Sequence, residues 1–265
     1  MGALTDRVAI ITGGGRGLGR ATALLLAEQG AHVGVLARSL SEVTAVADEI
    51  AARGRRSLPL RADVSSWSSV SAAVSHVLNT FGRIDILINN AGIIDPIAPV
   101  HRADPEQWAY NIDVNLKGPF YLVRSVLPHM LENGGGVIIN VGSGAAHRVI
   151  TSWSAYCAAK AGLYHFTNVL ATELINTGIR VNSVRPGVVD TRMQAHIREA
   201  SPEDFGAENA EHFRRLKEEG RLLPPEYPAR LIVWLCTDAA ADVHGQEVDI
   251  YDAYWRERAG LEPLP

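Results

Sequence analysis

The sequence predicts an α/β fold in which a doubly wound, parallel sheet of about seven strands carries helices on both faces. Short β-branched apolar runs alternate with longer helical segments along the chain, as consecutive βαβ units require. A glycine-rich turn, Gly13 to Gly19, directly follows the first apolar run. The 265 residues contain no linker and no internal repeat, which favours a single domain over residues 1–265.

The first half contains four predicted strands. The capping box Ser39-Leu-Ser-Glu42 starts the helix that follows the second strand. In chain order we predict strand 7–12, turn 13–19, helix 20–29 closed by Gly30, strand 32–36, helix 39 to about 53, strand 57–61, helix 66–80 and strand 85–89.

The second half continues the alternation. Asp104-Pro105-Glu106-Gln107 combines an N-cap, a proline at the first helical position and a box-closing glutamine. After it we predict a long helix through 120–131, strand 137–141, helix 154–176, strand 180–184, helix 227–237 and strand 247–250.

Composition excludes several classes of function. The net charge of −4 argues against a nucleic-acid-binding protein, and no apolar run is long enough to span a bilayer. The N-terminal residues lack the basic and apolar regions of a signal peptide. Two cysteines form neither a disulfide framework nor a zinc pattern, so we expect a reduced, cytoplasmic compartment and no metal site.

The most informative pattern is Tyr156 followed by Lys160. Residues four apart on a helix share one face, so a phenol and an ammonium group lie side by side. A nearby positive charge favours the phenolate and is expected to lower the tyrosine pKa from about 10. The spacing alone is weak, because many surface helices carry it by chance.

The glycine-rich turn predicts a dinucleotide site. Glycines between a strand and a helix allow a tight turn and close backbone approach to pyrophosphate, and the helix N-terminus favours an anion. At the end of the second strand stand Leu36-Ala37-Arg38-Ser39, without the carboxylate that would bind a ribose 2′-hydroxyl. Arg38, with Arg16 inside the turn, favours a 2′-phosphate and hence NADP(H) over NAD(H), although both arginines could be solvated surface groups.

These motifs together resemble the short-chain dehydrogenase/reductase family, whose compact members have a Rossmann fold. Thr12-Gly13-x-x-x-Gly17-x-Gly19, Asp63-Val64, Asn89-Asn90-Ala91-Gly92 and Pro186-Gly187-Val188-Val189-Asp190-Thr191 occur in the family's order. The resemblance implies a catalytic tetrad of Asn115, Ser143, Tyr156 and Lys160. It also implies cofactor contacts by Thr12, Gly13, Gly15, Arg16, Gly17, Leu18, Gly19, Arg38, Ser39, Asp63, Val64, Asn90, Ala91, Gly92, Tyr156, Lys160, Pro186, Gly187, Val189 and Thr191.

The implied activity is hydride transfer between a nicotinamide and a carbonyl or secondary alcohol. Ser143 would hold the carbonyl oxygen, Tyr156 would exchange a proton with it, and Lys160 would stabilise the tyrosinate and relay a proton through Asn115. The alternative is a non-catalytic NADP(H)-binding sensor or interaction protein on the same fold, against which the complete tetrad argues. The four-residue Tyr–Lys spacing also disfavours an enzyme acting on C=C bonds.

The resemblance weakens after Thr191. Residues 190–226, with a helix start at Ser201-Pro202-Glu203-Asp204 and apolar Phe205, Phe213 and Leu216, are expected to cover the substrate as a lid, although a surface hairpin without a chemical role is the alternative. The predicted substrate pocket is apolar and suits a hydrophobic or cyclic molecule. Its predicted lining, taken from residues that flank the catalytic positions, is Ile93, Ile94, His147, Val149, Trp153 and Met193.

The C-terminal residues depart furthest from the family. Residues 251–265 replace the usual Asp-Gly-Gly ending with Tyr251-Asp252-Ala253-Tyr254-Trp255 and a further ten residues. They could extend a subunit interface, reach a neighbouring active site or be disordered beyond Arg258. The resemblance implies a homo-oligomer, a tetramer or a dimer.

Overall fold

A seven-stranded parallel sheet forms the centre of the molecule, as the sequence predicts. The computed structural model describes residues 2–264. The strand order is β3-β2-β1-β4-β5-β6-β7, and every neighbouring pair is parallel. The strands are β1 Val8–Thr12, β2 His32–Ala37, β3 Ser57–Arg61, β4 Ile86–Asn89, β5 Gly136–Val141, β6 Ile179–Arg185 and β7 Glu247–Asp249.

The helices connect these strands and cover both faces of the sheet. They are α1 Gly17–Glu28, α2 Leu40–Ala52, α3 Trp67–Phe81, α4 Pro105–Ile112, α5 Gly118–Glu132, α6 Ser154–Glu173, α7 Arg192–Glu199, α8 Pro202–Phe205, α9 Ala207–Glu218, α10 Glu226–Cys236 and α11 Ala253–Arg258. Within residues 2–264, no helix is both long enough and apolar enough to cross a membrane.

Two apolar cores lie on the two faces of the sheet. Side chains alternate across a strand, so Ile11 of β1 packs into one core and Ile10 into the other. The first core contains buried residues of α1, α2 and α10, and the second contains those of α3, α5 and the end of α6. Burial on both faces explains why the strands read as continuous apolar runs rather than alternating ones.

Several helix boundaries differ from the sequence prediction. The first helix begins at Gly17, three residues earlier than predicted, and Gly17 has a left-handed φ of +52°, which glycine adopts without strain. Helix α6 ends at Glu173, three residues earlier than predicted. Helices α4 and α5 follow one another without a loop, through a π-helical turn at Asp113–Lys117. A π-turn inserts one residue into a helix, and sequence periodicity over a single turn does not reveal it.

The C-terminal segment folds back onto its own chain. Trp255, Leu261 and Leu264 pack against the core formed by α1 and α10. The hydroxyl of Tyr227 donates to the Glu262 carbonyl, and Arg258 pairs with Asp242. Up to residue 264, the tail is therefore an ordered cover of the molecule's own helices.

Candidate active site

A long cavity of about 1300 Å³ lies at the carboxyl edge of the sheet. The strand order reverses between β1 and β4, and α/β folds bind ligands in the crevice at such a switch point. The cavity extends from Arg38 at the end of β2, past the glycine turn, to Ser143 after β5 and the helices that follow Thr191.

The glycine turn lies flat against the sheet because side chains have no room there. A Cβ at Gly19 would lie 2.2 Å from the Gly13 carbonyl oxygen and 2.5 Å from the Asn90 side-chain amide. Gly13 and Gly17 adopt left-handed φ values of +64° and +52°. The N-terminus of α1 is thereby left open toward the cavity, as anion binding requires.

Thr12 supports the neighbouring turn from within the protein. Its hydroxyl oxygen accepts hydrogen bonds from the backbone N–H groups of Asn90 and Ala91, both at 3.0 Å. The Asn90 side chain donates to the Thr12 carbonyl at 2.9 Å. Thr12 is buried and lies outside the cavity lining. The cofactor contact expected of Thr12 stays a prediction, and the contact that the structure describes is with the Asn90–Ala91 backbone.

At the end of the cavity lined by Arg38, a carboxylate accompanies the predicted arginines. Arg38 donates to the Tyr110 hydroxyl at 2.9 Å. Arg16 lies 3.6 Å from the Glu42 carboxylate, which also receives a 3.0 Å hydrogen bond from Arg192. Glu42 lines the cavity beside Gly15, although the sequence indicated no acidic residue there. The capping box placed Glu42 in the first turn of α2, and that turn faces the glycine loop.

Ser143, Tyr156 and Lys160 come together in the middle of the cavity lining. Ser143 ends the connection from β5, while Tyr156 and Lys160 lie one turn apart near the start of α6. The Lys160 ammonium lies 5.6 Å from the centre of the Tyr156 ring and donates to the Val141 carbonyl at 2.8 Å.

Burial changes the acidity of both groups. Burial raises the pKa of the Tyr156 hydroxyl, and its hydrogen bond with the Ser143 side chain opposes this shift. The expected lowering of the Tyr156 pKa is therefore wrong for this structure, because loss of hydration outweighs the opposing effect of Ser143. Burial also lowers the pKa of Lys160 to about 8, since a cation loses its hydration there.

Asn115 lies in the π-helical turn, behind the cavity wall. Its side chain donates to the Ile93 carbonyl and to the Asn111 side-chain oxygen, both at 2.8 Å. Asn111, also fully buried, donates to the Asp95 carbonyl at 2.6 Å. The Asn115 side-chain oxygen faces Gly92, where a Cβ would lie 2.8 Å from it and 3.9 Å from Lys160 Nζ. Asn111, which the sequence analysis missed, fixes the orientation of Asn115.

Residues of the segment 190–226, predicted as a lid, line the other end of the cavity. Trp153 stacks on Phe205 and packs against Phe213, each at a ring distance of 5.3 Å, and meets the Tyr156 ring edge-on at 5.7 Å. Polar contacts fasten the segment at its edges: His196 to Asp95 at 2.8 Å, and Asn209 to Thr151 at 2.8 Å. Ser201 caps α8 as predicted, accepting from the Asp204 N–H.

His147 is the one predicted pocket residue that lies elsewhere. Its ring bonds to the Glu247 carboxylate at 2.8 Å and meets Tyr164 edge-on at 4.7 Å, outside the cavity lining. A charged partner on β7 draws the side chain away from the pocket. The other predicted pocket residues, namely Ile93, Ile94, Val149, Trp153 and Met193, line the cavity, with Val149 almost fully exposed at its rim.

The remaining predicted cofactor residues line the same cavity. They are Gly13, Gly15, Arg16, Gly17, Leu18, Gly19, Arg38, Ser39, Asp63, Val64, Asn90, Ala91, Gly92, Pro186, Gly187, Val189 and Thr191. Among residues 2–264, no group of three or more His, Cys, Asp or Glu side chains is arranged to hold a metal ion.

Comparison with known proteins identifies the family. The family model described as short chain dehydrogenase matches residues 7–202. Cyclohexanol dehydrogenase of Acinetobacter sp. (strain SE19) is 36% identical over 249 residues, which are 94% of this chain and 95% of that protein. Cis-4-hydroxycyclohexanecarboxylate dehydrogenase of Sinomonas cyclohexanicum is 37% identical over 256 residues, covering 95% and 98% of the two chains.

A solved structure agrees in fold over nearly the whole chain. The 3-ketoacyl-(acyl-carrier-protein) reductase from Brucella melitensis, complexed with NADH, is 33% identical with a TM-score of 0.81, covering 93% of this chain and 97% of that one. The chain belongs to the short-chain dehydrogenase/reductase family, so the predicted family and its oxidoreductase class are confirmed.

Proposed function

We propose that this protein is an NADP(H)-dependent oxidoreductase that interconverts a secondary alcohol and its carbonyl compound. The observation that carries the proposal is the position of Ser143, Tyr156 and Lys160 in one wall of a cavity that begins at a glycine-rich helix N-terminus. A proton donor beside an open, anion-binding crevice is what a dinucleotide-dependent reductase needs.

The residues of the crevice fit a nicotinamide dinucleotide. The glycine turn leaves backbone N–H groups free for the pyrophosphate, and Arg38 and Ser39 lie where a ribose 2′-phosphate would bind. Asn90, Ala91 and Gly92 would line the ribose near the nicotinamide, and residues 186–191 would hold the carboxamide. The bound cofactor supplies the hydride donor or acceptor, while the protein supplies orientation and proton transfer.

The proton-transfer chemistry belongs to four side chains. The hydroxyls of Ser143 and Tyr156, which both line the cavity, would both contact the substrate oxygen. In the reducing direction Tyr156 gives its proton to that oxygen. Lys160, 5.6 Å from the ring centre, stabilises the resulting tyrosinate by its positive charge. Asn115 would hold the chain of groups through which Lys160 regains a proton.

The preference for NADP(H) rests on charge at the adenosine end. Three arginines lie near this end of the cavity: Arg16, Arg38 and Arg192. Within residues 2–264, the guanidinium of Arg38 is bonded to a neutral group, the Tyr110 hydroxyl, whereas the other two pair with a carboxylate. Arg16 and Arg192 share the Glu42 carboxylate and are less available to a phosphate. We therefore assign 2′-phosphate recognition chiefly to Arg38. Because the relative from Brucella melitensis was solved in complex with NADH, NADH is the cofactor against which NADPH is compared in the test.

The proposed substrate is a hydrophobic, cyclic alcohol or ketone. Trp153, Phe205 and Phe213 form an aromatic wall beside Tyr156, and residues 190–226 cover it as a lid. Two relatives that match nearly the whole chain are named for cyclohexanol and hydroxycyclohexanecarboxylate. A flat aromatic wall favours a ring-shaped substrate over an extended polar one.

Three further parts of the proposal concern the whole chain. We propose one domain over residues 1–265, because both apolar cores share a single sheet. A cytoplasmic location is proposed from the two cysteines, Cys157 and Cys236, which are unpaired. We also propose a homo-oligomer, on the basis of the exposed aromatic side chains of α3 and α5, Trp67 and Phe120.

The first experiment follows nicotinamide absorbance with NADPH and NADH in parallel and a panel of cyclic, aromatic, steroidal, sugar and β-keto carbonyl compounds. Tyr156→Phe is the matched variant, since it removes only the proton-donating hydroxyl. We expect NADPH-dependent turnover that falls by about 10³-fold in this variant, within the range of general acid–base effects, with cofactor affinity unchanged.

The other outcomes are equally informative. Turnover retained in Tyr156→Phe would refute the proposed mechanism. A preference for NADH would refute the assignment of Arg38 but leave the four side chains in place. Binding of NADPH without turnover of any compound would favour the alternative, a non-catalytic nucleotide-binding protein.

A further inference from the structure

The last strand of the sheet and the turn after it carry three polar side chains beside the cavity. Side chains alternate along a strand, and Val248 of β7 is fully buried in the core. Glu247 and Asp249 therefore share the opposite face of the strand, and Tyr251 follows in the turn, so that the three residues form a polar row. Asp249 and Tyr251 are themselves part of the cavity lining. The sequence predicts strand 247–250 and an atypical tail from Tyr251 onward, with no assigned role for either in the site.

Glu247, the first residue of this row, contacts the loop that carries Ser143. The Glu247 carboxylate bonds to the His147 ring at 2.8 Å and lies 3.6 Å from Arg185. His147 ends the short 3₁₀ turn that Ser143 begins, and the Ser143 side chain accepts the Ala145 N–H at 3.2 Å. The contact between His147 and Glu247 therefore links the turn that carries Ser143 to β7.

Tyr251, the last residue of the row, contacts the loop proposed to hold the nicotinamide. Its hydroxyl accepts a hydrogen bond from the Val188 N–H at 3.1 Å. Its ring lies directly on Gly187, where a Cβ would be 2.9 Å from both the ring carbon Cζ and the hydroxyl oxygen. Gly187 adopts a left-handed φ of +77°, so this close packing and this backbone shape both depend on glycine.

Asp249 completes the row between them. It pairs with Arg185, the last residue of β6, and accepts the Tyr251 N–H at 3.0 Å. The loop that starts at Pro186 is therefore held at its beginning by Arg185 and at its second and third residues by Tyr251. A loop fixed at these points loses less conformational freedom when a ligand binds to it.

We propose that Tyr251 is a positioning residue for the nicotinamide half of the cofactor, acting through the Gly187–Val188 backbone. The inference rests on the proposed function, which assigns residues 186–191 to the nicotinamide carboxamide. Tyr251 lowers the cost of binding because it holds that loop ready before the cofactor arrives. The adenosine half, which lies at Arg38, should not depend on it.

The test compares Tyr251→Phe with Tyr254→Phe by isothermal titration calorimetry. Tyr254 is the matched control because it lies in the same segment, is 55% exposed and places its hydroxyl only near Arg258. The ligands are NADP⁺ and NAD⁺, with adenosine 2′,5′-bisphosphate and ADP as fragments that lack the nicotinamide. Thermal unfolding of each variant accompanies the titrations.

We expect Tyr251→Phe to weaken binding of the preferred dinucleotide about threefold to tenfold, the loss typical of one neutral hydrogen bond. Fragment binding should stay within about twofold of the wild-type value, and Tyr254→Phe should match the wild type throughout. These fold-changes lie within the resolution of the method.

Two results would overturn the inference while the proposed function stands. One is an unchanged dinucleotide affinity in Tyr251→Phe. The other is equal weakening of dinucleotides and fragments, which would indicate general loosening of the structure rather than positioning. A wild-type protein that binds the fragments but neither dinucleotide would instead refute the proposed function, and the role of Tyr251 with it.

Discussion

Lys160 is a basic residue of which only 4% is exposed to solvent. Its pKa falls from 10.5 to about 8 on folding, because burial disfavours the charged form. At ~1.4 kcal/mol per pKa unit, this shift costs the folded state about 3 kcal/mol at pH 7. We infer that the site retains a destabilising residue for the sake of the charge beside Tyr156.

The stability of a Lys160→Met variant tests this cost. The penalty is fully present below about pH 8, decreases as the pH rises, and is absent above 10.5, the pKa of the unfolded chain. We expect Lys160→Met to be more stable than the wild type by about 1–3 kcal/mol at pH 7, less what the unpaired Val141 carbonyl costs. Urea unfolding at pH 7 and pH 10 should show the difference narrowing; a difference independent of pH would contradict the argument.

The proposed preference for NADP(H) depends on a single residue, Arg38. Its guanidinium is held by an uncharged hydroxyl, so a 2′-phosphate would be its first ionic partner among the contacts of residues 2–264. We expect Arg38→Leu to raise the KM for NADPH at least tenfold, since hydrogen bonds to charged groups contribute about 1.5–3 kcal/mol, and to leave the KM for NADH nearly unchanged. Steady-state kinetics with both cofactors measure this, with Arg20→Leu, at a surface pair with Glu49, as the control.

Helices α8 and α9 of the proposed lid are joined by one aromatic cluster. Phe205 of α8 is fully buried and parallel to the Trp153 ring, and Phe213 of α9 packs on both rings. Trp153 in turn contacts Tyr156, so the order of the lid and the position of the proton donor are linked. Lid helices that loosen would open the substrate end of the cavity to water.

A Phe205→Leu variant tests the lid. The smaller side chain keeps the site apolar but removes the stacked ring, so we expect the KM for substrate to rise several-fold while the Kd for the cofactor is unchanged. Phe81→Leu, a partly buried ring stacked on His32 of β2, controls for stability. Steady-state kinetics and cofactor titration provide the two constants, and parallel changes in both would argue against a lid.

At the same scale, sequence patterns predicted the positions of strands and helices better than they predicted which side chains contact each other. The seven strands and the capped helices follow from apolar runs and caps, which are local signals. Glu42 and His147 illustrate what local signals leave out, because each is placed by a partner distant in the chain, Arg192 in one case and Glu247 in the other. The Tyr156 pKa was likewise mispredicted, since burial depends on the whole fold.

At the scale of the whole molecule, the outer face of α3, α5 and α6 is unusually apolar. Trp67, Phe120 and Val169 are 45%, 46% and 43% exposed. Phe120 continues the row through contacts with Tyr121 and Phe166, and Tyr121 meets Trp67 edge-on. A contiguous exposed aromatic row of this kind favours association with another subunit.

Replacing Phe120 tests the proposed oligomer. We expect the wild-type protein to sediment as a dimer or tetramer and Phe120→Glu to shift it toward smaller species, because a charge at an apolar contact costs several kcal/mol. Leu40→Glu, an equally exposed apolar residue on the other side of the sheet, should have no effect. Analytical ultracentrifugation distinguishes these outcomes, and a monomeric wild type would contradict the proposal.

The π-helical turn at Asp113–Lys117 limits where the chain can gain or lose residues during evolution. Each residue of a helix advances the direction of its side chains by about 100°, so losing one residue here would rotate Asn115 away from Ile93 and Asn111. We therefore expect insertions and deletions between Asn111 and Asn115 to be poorly tolerated. Natural variation in chain length should fall instead in the neighbouring surface loop at 98–103.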